Sequence, residues 1–253
     1  MRKAQTGMSS VPAFMDGSRL DSYLSRAGVD SRRACSQSVR EGFCAVNGRV
    51  VRNPSHRVST GDSVSYMGEG VSIPKPFVAV LNKPVGYETT MRESGERRTV
   101  SQLMGGMPRG CRPCGRLDVK TGGLLLITND GELLHRLSHP RWKVTREYTV
   151  GLRQKPSAGA MHALEKGLKI GRGEFCRPVA VERTGARELG IVLDRGRYHE
   201  VRRLISAAGL GMRFLERTAY GPVRLEGISR GAWKQLKGEV LSQLYKAVKL
   251  TPP

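Results

Sequence analysis

Short apolar runs punctuated by glycine and proline, rather than long helical stripes, set the pattern of this chain. Leu20, Tyr23, Leu24 and Ala27 recur at helical spacing. They lie between Ser18-Arg19-Leu20-Asp21, the form of a capped helix start, and the stop at Gly28, which predicts a short helix. A second helix is predicted from about Ser31 to Gly42 and carries Arg32, Arg33 and Arg40. Phe43 to Val46 and Arg49 to Val51 flank Asn47-Gly48, whose residues tolerate positive φ, so a two-residue hairpin follows. Asp62 to Tyr66 alternates as another strand, and the glycines and prolines from Gly68 to Pro76 read as a linker.

Beyond it, Phe77 to Leu81 predicts a strand that ends in the turn Asn82-Lys83-Pro84-Val85-Gly86. Val100 to Met104 suits a helical turn, Leu124 to Ile127 a buried strand, Asp130-Gly131 a turn and Glu132 to Ser138 a helix. Glu147 to Leu152 alternates as a strand, residues 157–168 suit a helix, and Gly171 to Val181 suggests a hairpin region. Leu189 to Leu193 is a predicted strand, and Glu200 to Ala208 a basic amphipathic helix closed by Gly209. Arg213 to Leu225 and Ala232 to Leu241 look like strands followed by a helix. Clustered strands with helices between them, and no glycine-rich phosphate loop after the first strand, predict an α+β chain. The expected layout is an arm at 1–17, a helix-helix-sheet module at 18–70, a linker at 71–76 and a larger domain at 77–253.

Composition adds a partner class. Forty-three Lys and Arg against 22 Asp and Glu leave a net charge of +21 over 253 residues, which favours a polyanion and salt-dependent binding. No apolar run approaches a membrane span, and the first residues lack the continuous apolar region of a secretion signal. The reading is a cytoplasmic protein with a flexible arm and no membrane partner. Five cysteines at irregular spacing argue against a disulfide framework and for a reducing compartment.

In so basic a chain Asp118 needs a reason. It lies in Gly115-Arg116-Leu117-Asp118-Val119-Lys120-Thr121-Gly122-Gly123, between a glycine turn and an apolar run. A lone Asp beside glycine is commonly a turn residue that satisfies backbone amides. Here, however, Gly196-Arg197-Tyr198-His199-Glu200-Val201-Arg202-Arg203-Leu204 offers cations able to pair with it. Cys111-Arg112-Pro113-Cys114 has zinc or redox spacing, but no second pair follows and structural zinc takes four ligands, so no metal is assigned. His56, His135, His139, His162 and His199 are scattered and read as surface or loop residues. Arg32, Arg33, Arg40, Arg49, Arg52 and Arg57 give the small module a basic face, which fits either RNA-backbone contact or a plain solvated surface.

These motifs occur in the order found in a known family. Leu81-Asn82-Lys83-Pro84-Val85-Gly86, the segment from Gly115 through Asn129-Asp130-Gly131, Arg146-Glu147-Tyr148, Glu200-Val201-Arg202-Arg203-Leu204 and Tyr220-Gly221 resemble the ribosomal-RNA pseudouridine synthases. The resemblance is to members in which an S-four-like RNA-binding module precedes the catalytic domain. Arg19-Leu20-Asp21, Ser31-Arg32-Arg33 and Val46-Asn47-Gly48 look like that module, so the likeness covers nearly everything after residue 17. It implies a largely antiparallel mixed sheet in the catalytic domain and no cofactor.

By this resemblance Asp118 is the catalytic carboxylate, Arg202 its basic partner and Tyr148 the aromatic against the target uracil. Covalent catalysis suits an acid that bonds transiently and then leaves, and a neighbouring guanidinium favours its ionised form. Arg116 is implied to fill the gap left when the nucleotide leaves its stack, Thr121 to order the catalytic loop, and Lys83 with Pro84 to shape the neighbouring loop. Leu204 is counted with Arg116, Thr121 and Lys83 among the substrate-binding residues. Arg19, Arg32, Arg33, Arg40, Arg49 and Arg52 are the residues expected to carry RNA on the module.

Most motifs look like the B-type enzymes of the large ribosomal subunit, whereas Gly196-Arg197-Tyr198-His199 is similar to the A-type enzyme of the small one. The implied partner is therefore ribosomal RNA, or an assembly intermediate of a ribosomal subunit, met by a monomer. Large-subunit (23S) RNA is favoured over small-subunit (16S) RNA. Attack on sugar and attack on base both stay open. Two competing classes are a non-catalytic RNA-binding assembly protein and a zinc-containing RNA protein built on Cys111 and Cys114. The joint presence of Asp118, Tyr148 and Arg202 favours the enzyme, since a binder has no need of an acid facing its polyanion.

Overall fold

Ser31 and Gly42 bound the helix Arg32–Glu41 in the computed structural model, which describes residues 16–92 and 95–253. Ser31 Oγ accepts from the Ala34 amide at 3.3 Å, and Gly42 closes the last turn at φ 87°, so both ends use the chemistry their residue types supply. Of the arm expected at 1–17, all but Asp16 and Gly17 lies outside the described residues. The chain divides into two compact units, one ending at Phe77 but also holding Met107–Cys111, the other comprising Val78–Gly106 and Arg112–Pro253.

In the first unit, helices Leu20–Arg26 and Arg32–Glu41 accompany a four-stranded sheet in the order Arg49–Val50, Cys44–Val46, Val64–Tyr66, Glu69–Gly70. Asn47 and Gly48 take φ of 51° and 75° in the hairpin turn. Leu20, Tyr23, Leu24, Cys35, Val39 and Val58 fill its core. Ser18 is not the helix cap that its sequence suggests. Ser18 and Arg19 form a short strand against Arg57–Val58. The carbonyls of His56 and Pro54 accept from the Leu20 and Asp21 amides, so backbone oxygens meet amides that a side chain would otherwise cap. Two further expectations are corrected. Glu69–Gly70 is a strand rather than linker. Met107–Cys111, expected in the larger domain, belongs to the first unit, where a Cβ on Gly110 would stand 2.3 Å from the Arg26 carbonyl oxygen.

The second unit is built on a mixed sheet with nine strands among the described residues. Its main path runs Ala180–Gly185, Glu188–Leu193, Arg146–Leu152, Met212–Tyr220, Gly122–Thr128, Val78–Lys83, Trp233–Gln235. Of the pairings in it, that of Met212–Tyr220 with Gly122–Thr128 is parallel and the rest are antiparallel, so the sheet is largely antiparallel. Helices Gly131–Ser138 and Gly238–Ala247 bury Leu133, Leu137 and Leu244 with Val78, Val80, Leu124 and Leu126. Helices Ala158–Lys166 and Glu200–Ala207 bury Leu164, Val201, Leu204 and Ile205 with Val150, Leu189 and Ile191. Alternation along the strands puts these two cores on opposite faces of the sheet.

The hairpin region expected at 171–181 is displaced. Leu168–Lys169 pairs with Phe175–Cys176, while Ala180–Gly185 is an edge strand on Glu188–Leu193. Its residues are mostly exposed, so no apolar alternation marked it. Among the described residues no helix is long and apolar enough to cross a membrane.

Candidate active site

Sheet register composes the floor of the site. Lys83 lies opposite Gly123, Gly123 opposite Arg217, and Arg217 opposite Tyr148, a row across four strands whose side chains share a face. Gly123 is the hinge of this row. At φ +98°, a Cβ there would meet the Arg217 carbonyl oxygen at 2.3 Å, so only glycine lets the strands close on each other. Lys83 is 1% exposed, and its Nζ donates to the carbonyls of Pro84 at 3.0 Å and Tyr87 at 2.8 Å, which fixes the 84–87 loop. Burial pushes the Lys83 ammonium down to about 8; Asp118 opposes that shift and the Arg217 charge adds to it. Arg217 is buried too, with its Nε donating to the Leu124 carbonyl at 2.7 Å.

Asp118 sits in the loop that leads into the strand Gly122–Thr128. Its carbonyl accepts from the Thr121 amide at 2.9 Å, and the Val119 carbonyl accepts from the Gly86 amide at 2.8 Å, which ties this loop to the one Lys83 holds. Thr89 Oγ1 donates to the Leu117 carbonyl at 2.6 Å and accepts from the Leu117 amide at 3.1 Å. The helix Glu200–Ala207 then brings Arg202, whose Nη2 donates to the Lys120 carbonyl at 2.7 Å and to Thr121 Oγ1 at 3.0 Å. The Arg202 Nε stands 3.8 Å from Asp118 Oδ2. The result is a partly exposed carboxylate on a loop fastened from three sides, with a permanent cation beside it.

Asp118, Thr121 and Arg202 are thus brought together. Tyr148, half-buried, reaches the same face through the Lys83 row. Arg116 is exposed on the Asp118 loop. Leu204, expected to bind substrate, is fully buried among Val201, Ile205 and the sheet, and so supports the Arg202 helix from behind. Sequence reasoning missed His199, whose Nε2 stands 3.3 Å from Asp118 Oδ1. The available signal was its position three residues before Arg202, on the same side of a helix start. It also missed Arg217, whose role depends on register.

The two cysteines with metal-like spacing are both buried. Burial pushes the Cys111 thiol up to about 11, and Cys114 packs in the core with Val78 and Leu124. Among the described residues no group of three or more His, Cys, Asp or Glu side chains is placed to hold a metal ion.

On the first unit, Arg32, Arg33, Arg40, Arg49 and Arg52 are exposed and Arg19 partly so. Three of them have internal duties. Arg19 and Arg32 stand 2.9 Å and 3.5 Å from the buried Asp21 carboxylate, and Arg52 Nη1 donates to the Arg40 carbonyl at 3.1 Å.

Residues 78–207 match the RNA pseudouridylate synthase family, and residues 18–64 match the S4 domain. The chain belongs to that family: it is an RNA pseudouridine synthase, an isomerase that converts uridine in RNA to pseudouridine, preceded by an RNA-binding S4 domain. It is 36% identical over 238 residues to an uncharacterised RNA pseudouridine synthase of Aquifex aeolicus, covering 92% of this chain and 95% of that one. It is 29% identical to the ribosomal large subunit pseudouridine synthase B of Bacillus subtilis, covering 89% and 95%. A crystal structure of a pseudouridylate synthase superposes with a TM-score of 0.64 at 27% identity, over 91% of this chain and 99% of the other.

Proposed function

We propose that the chain isomerises a uridine of ribosomal RNA, with Asp118 as its catalytic carboxylate, and that the substrate is large-subunit (23S) RNA. The observation that carries the reading is Asp118 itself, a partly exposed acid on a fastened loop, flanked by Arg202 and His199 in a chain of net charge +21. A nucleophile must be positioned, and the bonds from Arg202 to Lys120 and Thr121 supply this.

In the isomerisation the bond from uracil N1 to ribose C1′ breaks, the base turns, and a bond from C5 to C1′ forms. C5 gives up its proton and N1 gains one, so nothing is oxidised or reduced. Asp118 holds the separated halves by bonding transiently to one of them. Tyr148, in the row beneath, lies against the uracil. Arg116 takes the space that the extruded nucleotide vacates, at a flipping cost of roughly a few kcal/mol. Arg33, Arg40 and Arg49 contact RNA phosphates, which orients the RNA without reading its sequence.

The choice of large-subunit RNA is supported by the names of the Bacillus subtilis relative and of the Xanthomonas campestris ribosomal large subunit pseudouridine synthase B. The latter is 34% identical, and its match spans 50% of that protein. Transcripts of each ribosomal RNA, tritiated at uridine C5, test this. Tritium release from the large-subunit transcript alone supports the reading. Release from the small-subunit transcript alone contradicts it.

A further inference from the structure

His199 touches Asp118 yet takes no part in the reaction proposed for the site, and three observations single it out. Its Nε2 stands 3.3 Å from Asp118 Oδ1, the oxygen opposite the one that faces Arg202. Its backbone takes φ +50°, left-handed and strained for a residue with a Cβ, at the N-cap of the helix Glu200–Ala207. Its side chain does not cap that helix, so capping does not account for the strain. Finally, the imidazole is stacked on Tyr198, with centroids 3.8 Å apart and planes at 18°, and the Arg172 guanidinium lies 5.3 Å from the centre of the Tyr198 ring. A strained backbone and a stacked ring converge on one geometry, the ring nitrogen against the carboxylate.

We propose that His199 is a positioning residue for Asp118: its ring N–H holds Oδ1 so that the carboxylate presents a fixed edge to the uridine. The proposal rests on Asp118 being the catalytic carboxylate. Arg202 cannot do this work alone, because its Nη2 is committed to the loop backbone and its Nε stands 3.8 Å off. A ring proton on Nε2 gives Oδ1 a donor that Arg202 does not bring to that oxygen.

The test follows single-turnover tritium release against RNA concentration, using C5-tritiated whole-cell RNA from a strain lacking this protein. Wild type, His199→Ala, His199→Gln and Asp118→Asn are compared, each with a melting curve and an RNA-binding isotherm. His199→Ala is expected to slow release about tenfold to a hundredfold with unchanged RNA affinity. His199→Gln, which keeps a donor of similar reach, is expected to recover much of the rate. Unchanged rates in both His199 variants, or a His199→Gln no faster than His199→Ala, would overturn the proposal while an inactive Asp118→Asn upholds the catalytic assignment. An active Asp118→Asn would remove the catalytic assignment itself. Should His199→Ala fail to fold, His199→Phe, which keeps a stacked ring without a donor, takes its place beside His199→Gln.

Discussion

Arg202 donates to Thr121 Oγ1 at 3.0 Å across 81 residues of sequence, joining the start of a helix to the loop that carries Asp118. With its bond to the Lys120 carbonyl, this makes Arg202 a clamp as well as a counter-charge. The two duties separate by substitution. Arg202→Lys keeps the charge but loses the planar two-point grip, and is expected to lower single-turnover release about a hundredfold with RNA affinity unchanged. Thr121→Val removes one acceptor and is expected to cost about tenfold.

Gly123 is expected to be intolerant and Gly171 tolerant, although both have positive φ. Alanine at Gly123 adds a Cβ 2.3 Å from the Arg217 carbonyl to its backbone strain, whereas Gly171 has open space around it. Gly123→Ala should destabilise the larger unit by at least about 2 kcal/mol, and Gly171→Ala by about 1 kcal/mol. Urea midpoints of the two variants check the contrast.

Lys83 gives the alkaline side of the stability curve a predictable sign. Its folded value of about 8 lies below that of an ordinary lysine, so between these values the unfolded chain binds the extra proton and stability rises with pH. The rise attributable to Lys83 spans roughly pH 8 to 10.5 and is on the order of 3 kcal/mol at most. Denaturation at several pH values is expected to show the rise in wild type and its loss in Lys83→Met.

Asp21 gives the opposite limb in the first unit. Burial would raise its carboxyl, but the Arg19 hydrogen bond, the charges of Arg32 and Arg19 and the Ser22 backbone bond together hold it below the usual carboxylate range. Its contribution is therefore complete above the ordinary Asp value, about 3.9, and is lost as pH falls through the lower folded value. Asp21→Asn is expected to destabilise the module by about 1–3 kcal/mol near neutral pH, a difference that shrinks in acid. Melting curves on an acid series measure it.

Exposed cations on the module should govern salt dependence. Neutralising Arg33, Arg40 and Arg49 together is expected to reduce the slope of log affinity against log salt by about 0.7 to 0.9 for each phosphate that is no longer neutralised. Binding isotherms at several salt concentrations provide the slope.

Local chemistry explains what the sequence made legible. Ser31, Gly42, Asn47-Gly48 and Asp130 mark their helix ends and turn because capping and positive φ are decided within a few residues. Ser18 misled because strand pairing with Val58, forty residues on, took over the helix start. The Asp118 and Arg202 pairing was accessible through family motifs. The row from Lys83 through Gly123 and Arg217 to Tyr148 was not, since it exists only once register is set. His199 was read as a loop histidine because its contact with Asp118 depends on a left-handed backbone that its residue type does not announce.

In the proposed mechanism Asp118 does the chemistry while Arg202 and Thr121 hold its loop in place. Single-turnover pseudouridine formation by Asp118→Asn, measured beside its RNA affinity, tests this most directly. No product with binding intact is the predicted result, and product formed at the wild-type rate would contradict the mechanism.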